Sequence, residues 1–305
     1  MFFNFNLAKF ITFQDKDICN RVRNIDKKNI SEHDNKNLNI RIIENKQEFY
    51  SAFAMDIVKR IKAALEDNKI FIAILPVGPV PQYTIVAEMI NKMKIPMHHV
   101  YTFNMDEYAN EDGISAPLSW EGSFKRSMMD NFFNKIDDKL RPPLDHIHFP
   151  DSDNIDDYDK MVEDLGGADV CYGGIGWCGH IAFWESHLGL DFLDNIEEYK
   201  KQKSRIVELH PMTIMQNALH SFSGDWSNVP PKAVTIGPNL ILGAKLRSFW
   251  LDGYLGGGIS WQRFIARLVL HGPVTPIVPG SLLQTEKSDI NLLGGVADNV
   301  VINMA

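Results

Sequence analysis

A chain of 305 residues, 45% of them hydrophobic, can bury the core of one sizeable α/β domain or of two small ones. Its 31 basic and 39 acidic side chains leave a net charge of -8, which gives no bulk attraction to nucleic acid or to an anionic membrane surface. The expected ligand is therefore a small molecule or a protein. Three cysteines with no C-x-x-C spacing make no disulfide framework and point to a reducing, cytoplasmic setting.

The first stretch, "MFFNFNLAKFITFQ", is interrupted by Asn4, Asn6, Lys9 and Gln14 and lacks the basic, apolar and small-residue order of a signal peptide. No segment approaches the ~20 apolar residues of a membrane helix. From Asp15 to Asn39 the chain is rich in Asp, Lys, Asn and Glu, so residues 1–38 read as a polar, loosely ordered extension and residues 39–305 as the folded body.

Within the body, "NIRIIE" reads as a short strand. "QEFYSAFAMDIVKRIKAALEDN" then sets Phe49, Phe53, Ile57, Ile61 and Leu65 on one helical face. "IFIAILP" is a buried strand, too short for a helix and stopped by Pro76. The alternation continues with helix "YTIVAEMINKM", strand "HHVYTFN", helix "SFKRSMMDNFF", strand "DHIHFP", helix "DDYDKMVEDLG" and strand "ADVCYGGIG". Next come strand "SRIVELH", helix "MTIMQNALHSF", strands "KAVTIG" and "SFWLDG", helix "SWQRFIARLVL" and a short "PIVPG". Strands regularly separated by helices predict one doubly wound, Rossmann-like α/β domain: a mainly parallel sheet with helices on both faces. Ligands of such sheets bind outside the carboxyl ends of the strands, which picks out "LPVGPVPQ", "TFNMDEY", "GGIGWCGHIAFWE" and "LDGYLGGGIS".

In "TFNMDEYAN" the strand ends on Asp106 and Glu107, well placed for proton exchange with a substrate, although paired acids also cap turns. In "GHIAFWE", His180 and Glu185 can reach one cavity, where the carboxylate would fix the tautomer of the imidazole or raise its pKa. The bland alternative is a glycine-rich turn whose histidine bonds to backbone. The G-G-I-G run lacks the spacing of a dinucleotide fingerprint. His146 and His148 in "DHIHF" share a strand face, but the approach "RPPL" marks an edge strand more than a metal site. Asp106, Cys178, His180 and Glu185 are all zinc-ligand types. With no H-x-x-x-H or C-x-x-C spacing, no metal is assigned, and no cofactor is expected.

"TFNMDEY" and "GGIGWCGHIAFWE" resemble the two signature segments of the glucosamine-6-phosphate deaminase/isomerase family, a group whose fold is similar to that of 6-phosphogluconolactonases. "ILPVGPVP", "SRIVEL" and "NVPPKAVTIG" resemble further family segments in the same order, so the likeness runs from about Asn39 to about Gly295. The resemblance implies ring opening of an amino-sugar phosphate, C2-to-C1 proton transfer and loss of ammonia. Asp106 would move the C2 proton, His180 would assist ring opening and Glu185 would be its partner. Gly78, Glu107, Cys178, Arg205, Gly256 and Gly257 would line the substrate site. It also implies a homo-oligomer binding a small sugar, with neither nucleic acid nor membrane as partner.

The chain departs from the family pattern in four respects. Cys178 stands where the family has Asp, and a thiol, with an ordinary pKa of about 8.5, supplies no fixed negative charge at neutral pH; a small apolar filler is its plainest role. The phosphate loop T-G-G-T-P has become Val77-Gly78-Pro79-Val80-Pro81, losing both hydroxyls and an N–H. The family's phosphate-binding lysine falls on Gly256, leaving Arg205 as the matching charged ligand, with the glycine run either an anion nest or a flexible loop. Trp177 and Trp184 replace small polar residues and suit either sugar stacking or the core. These changes predict an altered substrate. The alternatives are a lactonase-like hydrolase, which would not need the Asp106 carboxylate, and a sugar-binding regulator on an inactive scaffold.

Overall fold

The computed structural model describes residues 3–302 and 304. Among the described residues twelve strands form, in chain order: β1 Leu38–Ile43, β2 Phe71–Leu75, β3 Val100–Asn104, β4 Asp106–Ala109, β5 Ile147–His148 and β6 Val170–Gly173, then β7 Arg205–Glu208, β8 Lys232–Thr235, β9 Leu246–Leu251, β10 Tyr254–Gly256, β11 Ile259–Ser260 and β12 Ser288–Leu293. Seven of them make the central sheet in the order β1-β12-β9-β6-β2-β3-β5, and every pairing in it is parallel. All residues of β2 and β6 are buried, as strands covered on both faces must be. The chain runs outward from β2 through β3 to the edge strand β5, then returns to β6 on the other side of β2. The topological switch therefore lies between β2 and β6.

The helix Lys46–Glu66 starts on an Asn45 cap that accepts from the N–H groups of Gln47 and Glu48, and it buries Phe49, Phe53, Ile57 and Ile61 as the periodicity predicts. Phe53 packs edge-on against Tyr83 and Trp250, with ring centres 5.8 and 5.3 Å apart. No helix among the described residues is long and apolar enough to cross a membrane.

The structure corrects the sequence reading in three places. "SRIVE" and "KAVT" leave the central sheet and pair, as β7 and β8, with β4 in a separate antiparallel sheet. Strand β12, which the sequence does not announce, lies between β1 and β9. The segment before Leu38 is docked rather than loose: its helix Lys16–Arg23 packs on the helix Arg263–His271, Val22 and Ile30 are fully buried, and the Arg267 guanidinium donates to the Ile25 carbonyl at 2.8 Å.

Candidate active site

Four of the central strands, adjacent in the order β9-β6-β2-β3, send their carboxyl-terminal loops to one cavity of about 240 Å³. Strand β3 ends at Asn104, and after Met105 the chain joins the small sheet as β4. That hand-over places Asp106 at the mouth of the parallel sheet, inside the cavity and only 8% exposed. Burial is the main force on its carboxyl group. Neighbouring Glu107 adds to it and His180 opposes it, and the pKa is pushed up to about 7.

Glu107, one residue on, takes the opposite direction from the pleat. Its carboxylate accepts from the Ser123 hydroxyl and from the backbone N–H groups of Tyr108, Phe124 and Lys125, at 2.8 to 3.0 Å. Three of those donors belong to the start of the helix Phe124–Asn131, where a carboxylate also meets the favourable end of the helix dipole. Glu107 is a helix anchor and does not line the cavity. We expect Glu107→Ala to cost about 3 kcal/mol or more, because it strands buried donors. Urea unfolding checks this, and unchanged stability with a raised KM would instead restore a substrate-binding role.

Strand β6 ends at Gly173, and the following turn carries the histidine and its partners. His180 Nδ1 lies 2.9 Å from Thr213 Oγ1, 3.2 Å from Glu185 Oε2 and 3.3 Å from Cys178 Sγ. Thr213 Oγ1 and Cys178 Sγ each donate to Glu185 Oε2, at 2.9 and 3.0 Å, and the His210 N–H reaches Oε1 at 3.3 Å. Cys178 thus donates a hydrogen bond here, where a charged carboxylate would only accept. Burial by itself would lower the His180 pKa; the facing Glu185 carboxylate, aided by Cys178, overrides it and holds the imidazole well above its ordinary value. Glu185 shows the reciprocal effect: burial raises its pKa, the His180 charge and three side-chain hydrogen bonds outweigh that, and the carboxyl ends below its usual range. Each side chain thus favours the charged form of the other, an imidazolium facing a carboxylate.

Two glycines permit this turn. A Cβ on Gly176 would stand 1.9 Å from His180 Nε2, and Gly179 holds φ at +87° with Val278 Cγ1 3.0 Å from where its Cβ would be. Gly176→Ala should displace the imidazole and remove at least 100-fold of activity while leaving the unfolding midpoint within a few degrees of the parent. Paired kinetics and thermal unfolding measure both effects.

Of the other residues marked in the sequence, Gly78 lines the cavity. Cys178 sits behind His180, in the relay just described, and is absent from the wall. Arg205 is on β7, with its guanidinium 4.5 Å from the ring centre of Trp184 in a cation–π contact away from the cavity. Gly256 and Gly257 belong to the hairpin of β10 and β11, both with positive φ and open space where a Cβ would point. The hairpin is the reason for the difference: the glycines occupy its turn, and the segment enters the cavity on either side of it, at Asp252 and at Trp261 and Gln262. Trp184 is fully buried with Tyr199 and Leu282, whereas Trp177 lies 6.4 Å from the Trp261 ring. His146 and His148 stack on Tyr101 and Phe103 beside the edge strand.

The sequence pattern also left out Thr213, which caps the relay from the helix Pro211–Ser221, and the wall residues Gln82, Gln216, Asn217, His220 and Asp252. Cys178, His180 and Glu185 present ligand atoms within 4.8 Å of one another, while Asp106 stands outside that group. Each of the three facing atoms already has a hydrogen-bond partner within the relay.

A parallel α/β sheet with a carboxyl group raised by burial and an imidazole held up by a facing carboxylate at its switch point suits proton transfer on a small polar molecule. Comparison with known proteins gives the family. A glucosamine-6-phosphate deaminase of Caenorhabditis elegans is 33% identical over 213 residues, 67% of this chain and 72% of the relative. One from Phocaeicola vulgatus is 30% identical over 247 residues, 75% and 87% of the two chains. The chain belongs to the glucosamine-6-phosphate deaminase family. Among solved structures, a monomeric glucosamine-6-phosphate deaminase superposes with a TM-score of 0.70 at 22% identity, covering 85% of this chain and 98% of the other. A 6-phosphogluconolactonase from Thermotoga maritima gives 0.60 at 15%, covering 84% and 99%. Both likenesses concern the fold. No family model matches the chain.

Proposed function

We propose that the protein isomerises an aldose, and deaminates a 2-amino sugar, by ring opening followed by proton transfer from C2 to C1. The observation that carries this reading is Asp106: a buried carboxyl group with a pKa near 7, in the same cavity as an imidazolium. His180, charged through Glu185, gives a proton to the ring oxygen as its bond to C1 breaks, and the C1 hydroxyl gives up its proton to the imidazole, leaving the open-chain aldehyde. Asp106 then removes the C2 proton: the C–H pair forms the C1–C2 double bond while the C1 carbonyl pair moves onto its oxygen, which takes a proton from His180, and Asp106 returns its proton to C1 as the lone pair of the C2 substituent forms a double bond to C2 and that substituent releases a proton. With an amino group at C2 the product is an imine, to which water adds as ammonia leaves. A carboxylate near pKa 7 can both take and give that proton at neutral pH, and burial keeps water from competing.

The three cysteines are free and buried, which supports a reducing, cytoplasmic setting. The sequence resemblance is the ground for a homo-oligomer, while the solved deaminase that superposes on the chain is monomeric; sedimentation at a multiple of the chain mass is the expected result, and the single-chain mass overturns it. The activity is tested by assaying ammonia and ketose over amino sugars and plain sugars, each with and without a 6-phosphate. Product from at least one of them is expected. Binding without product across the panel would leave the inactive sugar-binding reading.

A further inference from the structure

We propose that residues 10–12, ahead of the first strand, are a positioning element of the active site: through His210 and Ser186 they hold Glu185 in place against His180. The inference rests on the isomerase reading above, in which Glu185 keeps His180 charged, and assigns what fixes Glu185.

Glu185 is fully buried, and both of its oxygens are held from the start of one helix, Pro211–Ser221. Oε1 accepts from the His210 N–H at 3.3 Å, and Oε2 accepts from the Thr213 hydroxyl at 2.9 Å. The placing of that helix start therefore decides where the carboxylate sits. His210 is its cap: ring Nδ1 accepts from the Met212 N–H at 3.1 Å, so the ring proton sits on Nε2, which donates to the Phe10 carbonyl at 2.9 Å. Burial lowers the His210 pKa and favours this neutral form.

A second tie reaches the other side of Glu185. Ser186, next in the chain and buried, has its hydroxyl 2.9 Å from Thr12 Oγ1. Phe10 and Thr12 thus bridge the turn that carries Glu185 to the helix that grips it. The His187 ring stacks on His210, centres 5.8 Å apart, in the same layer. The bridge is itself anchored: the Ile11 N–H donates to the Ala8 carbonyl at 2.9 Å, Phe13 packs against the main core, and Asp15 caps the docked helix Lys16–Arg23. A strap bonded on both sides of a buried carboxylate limits its travel, and a misplacement of about 1 Å in such a site can cost about 100-fold in rate.

Three single variants of the full chain separate this role from stability. His210→Asn keeps an oxygen where Nδ1 caps the helix but is too short to reach Phe10, whereas His210→Gln places an amide donor near Nε2 and loses the cap geometry. Thr12→Val removes the hydroxyl tie. His210→Asn should lower kcat by about 10- to 100-fold with KM changed by no more than about 2-fold, and the His180 ring, followed by NMR, should titrate at lower pH than in the parent. His210→Gln should recover most of that kcat despite its weaker cap, and Thr12→Val should move both readouts as His210→Asn does, by a smaller factor. Asn and Gln variants that lose activity only in step with their urea midpoints would leave a helix cap and overturn the inference. Unchanged kcat and an unmoved His180 titration in His210→Asn overturn it too, and leave the isomerase reading standing. If the parent turns over no sugar, the isomerase reading falls and the His180 titration decides alone: a downward shift in His210→Asn upholds the positioning of Glu185, and an unmoved one overturns it.

Discussion

Asp106→Asn should lower kcat by about 100- to 10,000-fold, the range of a positioned proton-transfer group, while sugar still binds. The parent enzyme should gain activity as pH rises through about 7, where Asp106 becomes the base. The same shift acts on stability with a definite sign. Asp106 has its folded pKa above the ordinary carboxylate value, so between about pH 4 and 7 the folded state binds more protons and stability falls as pH rises. Asparagine removes that penalty. At pH 8 the variant should therefore unfold at higher urea than the parent, by at most about 4 kcal/mol at about 1.4 kcal/mol per pKa unit. Near pH 4 the two should converge. An inactive variant that is also less stable at pH 8 would mean that Asp106 is structural.

Glu185→Gln should be nearly as severe, for a different reason. The carboxylate is what holds His180 protonated against burial, and the amide retains the shape without the charge. The imidazole pKa should drop below its ordinary value, so the proton donor for ring opening is present only at acid pH. At pH 7.5 we expect a loss of about 100-fold or more, with activity recovering as pH falls toward 6 until Asp106, protonated below about 7, limits it. The pH–rate profile, with an NMR titration of the His180 ring, measures this; an unchanged profile would detach Glu185 from the proton path.

What was legible in the sequence was local pattern. The period of Phe49, Phe53, Ile57 and Ile61 and the apolar run of β2 gave correct elements because burial on one helical face, or on both sheet faces, leaves its mark on composition. Asp106, His180 and Glu185 could be marked because they follow strand ends in a parallel sheet, and the structure brings them to the mouth of one cavity and the relay behind it. The failures have equally local causes. Strand β12, "SDINLL", mixes three polar residues into a central strand; Ser288 and Asn291 are buried with hydrogen bonds to backbone carbonyls that a sequence does not display. Arg205 was placed on a strand correctly, but which sheet holds that strand depends on long-range pairing with β8. Gly256 sits in the β10–β11 hairpin outside the cavity wall, a placement that depends on pairing a sequence does not display. Thr213 and Asp252 carry no motif: one is the third residue of a helix and the other follows a strand by one, and their roles come from what folds against them.

Proton NMR of the sugar's C2 hydrogen during turnover in deuterium oxide tests the central claim most directly. The account predicts that this hydrogen leaves C2 in step with ketose formation in the parent protein and persists with Asp106→Asn. Sugar binding or lactone hydrolysis with the C2 hydrogen untouched, across every sugar tried, would contradict it.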